Sequence, residues 1–156
     1  MKIKEIKIFQ VNLTMKEGHY SWSNQSFRSF DSTVVEIITN QGISGFGEIC
    51  PLGPSYLPSY SEGVRVGIKK LSEILLGKDP SNINNINFLM DNALKGHPYV
   101  KSAVDIACWD ILGKKMNIPV YTLLGGKLQS KVKLFKVISR DIPEIMQEKV
   151  NEYQEQ

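Results

Sequence analysis

Only two cysteines and two histidines occur in 156 residues, so the side chains that most often bind transition metals or pair as nucleophile and base are scarce. Cys50 and Cys108 cannot form a disulfide framework and have no metal-ligand spacing. Cys50 stands beside Pro51 with no histidine nearby in sequence to activate it, so it is expected to pack as a small residue, and Cys108 to lie in the core. No apolar run approaches the roughly 20 residues needed to cross a bilayer. The N-terminus, Met1-Lys2-Ile3-Lys4-Glu5, alternates charge with apolar side chains and holds no signal-peptide core. These features point to a cytoplasmic chain without a membrane partner. Lys and Arg total 19 against 16 Asp and Glu, and the lysines are scattered as at Lys2, Lys4, Lys7, Lys69 and Lys70. No basic block is interleaved with aromatics, which argues against nucleic acid. A nucleophile elbow, a Walker lysine and an H-E-x-x-H pair are all missing.

What is present suits an ordinary folded domain. Hydrophobic residues make up 42% and charged residues 22%, enough to form a core. Residues 3–13 alternate apolar and polar side chains as a half-buried strand. Thr33–Thr39 is β-branched, Asn40-Gln41-Gly42 supplies a turn, and Ile43–Ile49 returns as a strand. Helices follow. Ser61 reads as an N-cap for Val64, Ile68, Leu71, Ile74 and Leu75, with Gly77 as the stop. Asp79-Pro80 reads as the start of a second helix ending near Gly96. His97-Pro98 opens a third, with Val100, Ala103, Val104, Ala107, Cys108 and Ile111 on its apolar face and Asn117 and Pro119 at its close. The expected class is α+β, a three-stranded antiparallel meander followed by a helical bundle. Beyond Gly125-Gly126, Val132–Ile138 reads as a strand and Asp141-Ile142-Pro143-Glu144 as a capped helix start, one βα unit. The expected domains are 1–126 and 127–156, the second being the opening of an incomplete barrel, because a complete one takes roughly 200 residues or more.

Most conspicuous motifs have plain readings. Gly42-x-x-Gly45-x-Gly47 leads from a turn into a strand and lacks the spacing of a phosphate loop. Asp105 and Asp110 lie five residues apart on one helix, separated by about 140°, so they make a poor metal pair and read as capping or ion-pairing groups. Two connectors stand out instead. Residues 14–31 lose the strand pattern and exceed the usual connection of about 4–6 residues. They carry His19, Tyr20, Trp22, Phe27 and Phe30. Residues 50–59 place Leu52, Tyr56 and Leu57 on a second loop.

The segment Lys101-Ser102-Ala103-Val104-Asp105-Ile106-Ala107-Cys108-Trp109-Asp110-Ile111-Leu112-Gly113-Lys114 closely resembles a signature of the mandelate racemase and muconate lactonizing enzymes of the enolase superfamily. So does Pro119-Val120-Tyr121-Thr122-Leu123-Leu124-Gly125-Gly126, and Gly45-Phe46-Gly47-Glu48 is similar to the same family. Val100 stands where that pattern usually has alanine. Trp22-Ser23, Phe30–Val35 and Cys50–Pro58 resemble the subgroup of dehydratases and epimerases acting on hydroxyproline and proline-betaine substrates.

The resemblance implies an N-terminal domain that caps a barrel, with residues 14–31 and 50–59 closing over a small carboxylate. Tyr20, Trp22, Leu52 and Tyr56 are the substrate-binding candidates. It also implies that the barrel of the complete enzyme supplies three acidic Mg²⁺ ligands and the acid/base residues, often a K-x-K pair, for removal of an α-proton. Lys131-Val132-Lys133 imitates that pair, but it opens the first barrel-like strand and reads as ordinary solvated lysines. The chain alone is therefore expected to hold no catalytic residue and no metal. The alternative is a truncated, non-catalytic chain that serves as an oligomerising or partner-binding subunit. For residues 130–156 the expectation is either self-association, since an apolar strand with an open edge favours pairing with another chain, or detachment as a frayed tail.

Overall fold

The computed structural model describes residues 1–16 and 18–155. They form two compact units, one of residues 1–11 and 31–127, the other of residues 12–30 and 128–156. Residues 12–30 thus group with the C-terminal segment.

The first unit is the expected meander on helices. Its sheet has the order β1-β4-β5, with β1 at Ile3–Thr14, β4 at Ser29–Thr39 and β5 at Ser44–Ile49. β4 and β5 pair antiparallel with Thr33 opposite Ile49 and Ile38 opposite Ser44. The turn between them is tied by Thr39, whose Oγ1 donates to the Ile43 carbonyl at 2.9 Å and accepts from the Ile43 N–H at 3.1 Å. Gly42 takes φ 78° there, a left-handed conformation that favours glycine.

Three helices cover the sheet: α1 at Ser61–Leu75, α2 at Ile83–Ala93 and α3 at Pro98–Met116. Their apolar faces are those expected. Val64, Ile68, Leu71 and Leu75 of α1 and Val100, Ala103, Val104, Ala107, Cys108 and Ile111 of α3 are all buried with Ile3, Val35 and Ile37. A single-turn helix, α4, follows Pro119 at Val120–Leu123.

Two helix starts differ from the reading of the sequence. Tyr60 rather than Ser61 is the N-cap of α1, because the Ser61 hydroxyl donates to the Asp31 carbonyl at 2.6 Å. Asp79 caps a preceding turn instead of a helix, accepting from the Ser81 N–H and hydroxyl, and Asn82 caps α2 through the Asn85 N–H. A short polar side chain competes for the nearest free N–H groups, and in the stretch from Asp79 to Asn82 two such residues share that work.

The glycines of β5 explain how closely strand and helix approach. A Cβ on Gly45 would lie 2.2 Å from the Ala107 carbonyl oxygen, and one on Gly47 would lie 1.9 Å from that of Ala103. Both obstacles are backbone, which cannot rotate away. The Gly42-x-x-Gly45-x-Gly47 pattern is therefore one turn glycine and two contact glycines.

In the second unit, residues 20–27 are not patternless. β2 at Tyr20–Trp22 and β3 at Gln25–Phe27 form a hairpin whose register pairs Tyr20 with Phe27, Ser21 with Ser26 and Trp22 with Gln25. Three-residue strands are too short to give a periodic signal in sequence. Conversely, Val132–Ile138, expected as a strand, carries no ladder among the described residues, and Leu134 and Phe135 are 78% and 90% exposed. β-branched composition favours extended backbone, but a strand needs a neighbour to accept its hydrogen bonds. The last helix, α5, spans Pro143–Gln154. Ile142 is its N-cap with no side-chain cap hydrogen bond, and Asp141 accepts from the Ile142 N–H, so the expected capping box is not made.

Gly47→Ala is expected to lower stability by about 3 kcal/mol, the upper end for overpacking, since the clash is with backbone. A thermal melt indistinguishable from the wild type would contradict the tight strand–helix contact.

Candidate functional site

The hairpin of the second unit gathers most of the aromatics on one face. Strand alternation sends Tyr20 and Trp22 of β2 to the same side as Gln25 and Phe27 of β3. Trp22 and Phe27 stack with centroids 4.8 Å apart and planes 12° from parallel. Tyr20 lies 5.0 Å from Trp22, and Phe30 extends the group at 5.4 Å from Phe27 and 6.4 Å from Tyr20. Such pairs add about 0.5–1.5 kcal/mol each beyond simple burial, so they hold the short hairpin together. At its tip Ser23 takes φ 46°, a left-handed conformation.

The opposite face is polar and tied down. Ser21 is buried, and its hydroxyl donates to Ser26 Oγ at 2.9 Å. Residues 139–141 run beside it: Arg140 N–H donates to the Ser21 carbonyl at 2.9 Å and Ser139 Oγ donates to the His19 carbonyl at 3.0 Å. His19 Nε2 stands 4.0 Å from Asp141 Oδ2. A cleft of about 610 Å³ within this unit is bordered by His19, Tyr20, Phe30 and Tyr153.

Of the four residues singled out in sequence, Tyr20 and Trp22 are thus brought together on one wall. Phe27 and Phe30 complete that wall and were not among the four. They stood in the sequence as further aromatics of the same connector, with no periodic signal to place them. Leu52 and Tyr56 lie in the first unit, on the loop between β5 and α1. Leu52 is half-buried and Tyr56 is 59% exposed. A turn in that loop brings the Tyr56 and Leu57 N–H groups onto the Gly53 carbonyl at 3.1 and 3.2 Å.

The other polar candidates have structural partners. Asp105 accepts from Asn87 Nδ2 at 2.8 Å. Asp110 accepts from the Phe46 N–H at 2.9 Å and pairs with Lys114 at 2.7 Å. His97 caps α3 in a left-handed conformation with φ 51°. Lys131 and Lys133 are exposed. Among the described residues no group of three or more His, Cys, Asp or Glu side chains could hold a metal ion. Burial pushes the Cys50 thiol above its ordinary value, assisted by the charges of Glu48 and Asp31 and opposed by a hydrogen bond with Ser32. Burial pushes Cys108 up to about 12. No described helix is long and apolar enough to cross a membrane.

A sheet of this order packed against α3 defines an α+β domain. The chain belongs to the mandelate racemase / muconate lactonizing enzyme family, whose N-terminal domain matches residues 3–125. It is 56% identical over 154 residues to cis-3-hydroxy-L-proline dehydratase of Roseibium aggregatum, an alignment covering 98% of this chain and 42% of that protein. Its structure is similar to that of N-succinyl Arg/Lys racemase from Bacillus cereus, with a TM-score of 0.93 at 34% identity over 99% of this chain and 42% of the other. A member of the enolase superfamily from Roseovarius nubinhibens, complexed with magnesium, gives a TM-score of 0.86 at 39% identity, covering 98% and 41%. The chain thus spans about 42% of the length of the curated dehydratase it matches.

The thiols offer a check on the geometry of the first unit. Because only the thiolate attacks an alkylating reagent, Cys50 should react slowly at neutral pH, its rate rising through a midpoint above the ordinary thiol value. Cys108 should stay unmodified until the fold opens. Mass spectrometry of the iodoacetamide-treated chain, followed against pH, reads both; rapid labelling of Cys108 in the folded chain would contradict its burial.

Proposed function

We propose that residues 1–156 cap the substrate site of a Mg²⁺-dependent enzyme that removes the α-proton of an amino-acid-like carboxylate, with a hydroxyproline-type imino acid as the preferred class. The observation that carries this reading is the aromatic cluster of Tyr20, Trp22 and Phe27 on the β2–β3 hairpin with Phe30 of β4. Aromatic side chains gathered on one side suit the carbon face of a pyrrolidine ring and leave its carboxylate free for a charged or metallic partner. The 56% identity to cis-3-hydroxy-L-proline dehydratase supports the same class. In this reading Tyr20 and Trp22, with Leu52 and Tyr56, select the substrate. The acid, the base and the metal ligands come from a barrel domain of the kind that the longer relatives provide, and no chemical step is assigned to residues 1–156.

A fusion of residues 1–156 to the part of the Roseibium aggregatum dehydratase that the chain does not cover tests this directly. With Mg²⁺ it should consume cis-3-hydroxy-L-proline. Trp22→Ala and Tyr20→Ala should each raise KM about tenfold with little change in kcat, the pattern of lost uniform binding. A folded fusion that ignores every amino-acid-like carboxylate offered to it would reject the reading.

The second reading, an oligomerising chain without chemistry, draws on the exposed apolar side chains of residues 128–138. Leu128, Val132, Leu134 and Phe135 are each more than two-thirds exposed on backbone that forms no ladder. Each would gain roughly 1.5–3 kcal/mol if fully buried. Light scattering should then show self-association of the chain, weakened by Phe135→Lys; a chain that stays monomeric at high concentration removes the support for this reading.

A further inference from the structure

Three chain ends that border the two loops meet in one polar cluster of the first unit. Asp31 closes residues 14–31, Ile49 precedes residues 50–59, and Ser61 follows them. The ladder between β4 and β5 ends at Thr33 opposite Ile49, which sets the first two ends side by side. Arg65, on the second turn of α1, reaches back and grips Asp31 with both arms of its guanidinium, Nη1 to Oδ1 and Nη2 to Oδ2, each at 2.9 Å. Its Nη1 also lies 3.3 Å from Thr33 Oγ1. Ser61 Oγ donates to the Asp31 carbonyl at 2.6 Å. Ser32, fully buried, donates to Glu48 Oε1 and lies 3.4 Å from the Ile49 carbonyl. The Arg65 side chain is 20% exposed and that of Asp31 29%, so the pair is shielded from most screening. A bidentate fork fixes direction as well as distance, which an ordinary surface pair does not.

We infer that Arg65 and Asp31 are positioning residues that couple the two loops, so that the backbone leaving one cannot shift without releasing the other. α1 is the rigid arm of this device: Arg65 stands one turn beyond Ser61, and both hold the same residue. That the coupled loops contact substrate rests on the function proposed above; the coupling itself does not, and it is read without substrate.

Hydrogen–deuterium exchange on the full chain, resolved by peptide, makes the test. Arg65→Met should raise exchange about tenfold in peptides from both 18–30 and 50–60, while Val34–Ile38 and Val100–Ile111 keep their protection. Arg65→Lys should fall between Met and the wild type, because an ammonium supplies the charge but not the fork. Ser61→Ala removes one neutral hydrogen bond and should give the same paired pattern at about fivefold; it decides the matter if Arg65→Met does not fold. Exchange that rises in one loop only, in neither, or equally through the core would overturn the coupling.

Discussion

The contact between the β5 backbone and α3 is the constraint on which the first unit depends. Gly45 and Gly47 let the strand lie against Ala103 and Ala107 with no side chain between them. Close approach of this kind gathers dispersion over many atoms at once. It also leaves α3 no freedom to slide, since any step along the strand would drive an isoleucine into a helix carbonyl. With α3 fixed, α1 and α2 have one face to pack on, and their buried Leu71, Leu75, Ile86 and Met90 complete the same core.

From this rigid base the apolar loops are held at their roots. The sheet brings Asp31 and Ile49 to one end, and α1 begins there. The hairpin at Tyr20–Phe27 achieves its order differently, through stacked rings on one face and serine hydrogen bonds on the other. The scaffold rests on backbone contact and the hairpin on side-chain contact. Relatives matched by the chain include one named a dehydratase and one named a racemase, for different substrates.

Long periodic elements were legible in the sequence because burial repeats along them. The α3 face from Val100 to Ile111 is buried residue for residue, and Thr33–Thr39 is the strand its β-branched composition implies. Tyr20 and Trp22 were legible as aromatics on a connector, but their hairpin was not, since three residues per strand give no period. The Asp31–Arg65 fork was invisible for another reason: it joins residues 34 apart whose spacing has no local meaning. Val132–Ile138 erred the opposite way. Composition alone named a strand there, but a neighbouring strand decides whether one forms, and among the described residues 132–138 carry no ladder.

The two glycines of β5 also carry a geometric consequence. Two residues of strand advance about 6.6 Å and four residues of helix about 6 Å. Gly45 faces Ala107 and Gly47 faces Ala103, so the strand rises as the helix descends, and one step of each nearly matches the other. The strand, however, twists along its length while the helix axis stays nearly straight. The two can touch only over a short window and must diverge at both ends. On the same side of β5, Ile43 and Ile49 flank the glycines, half-buried and packed against the core. They act as shims in a wedge that opens in both directions, which is why the bare stretch is two glycines long and no longer.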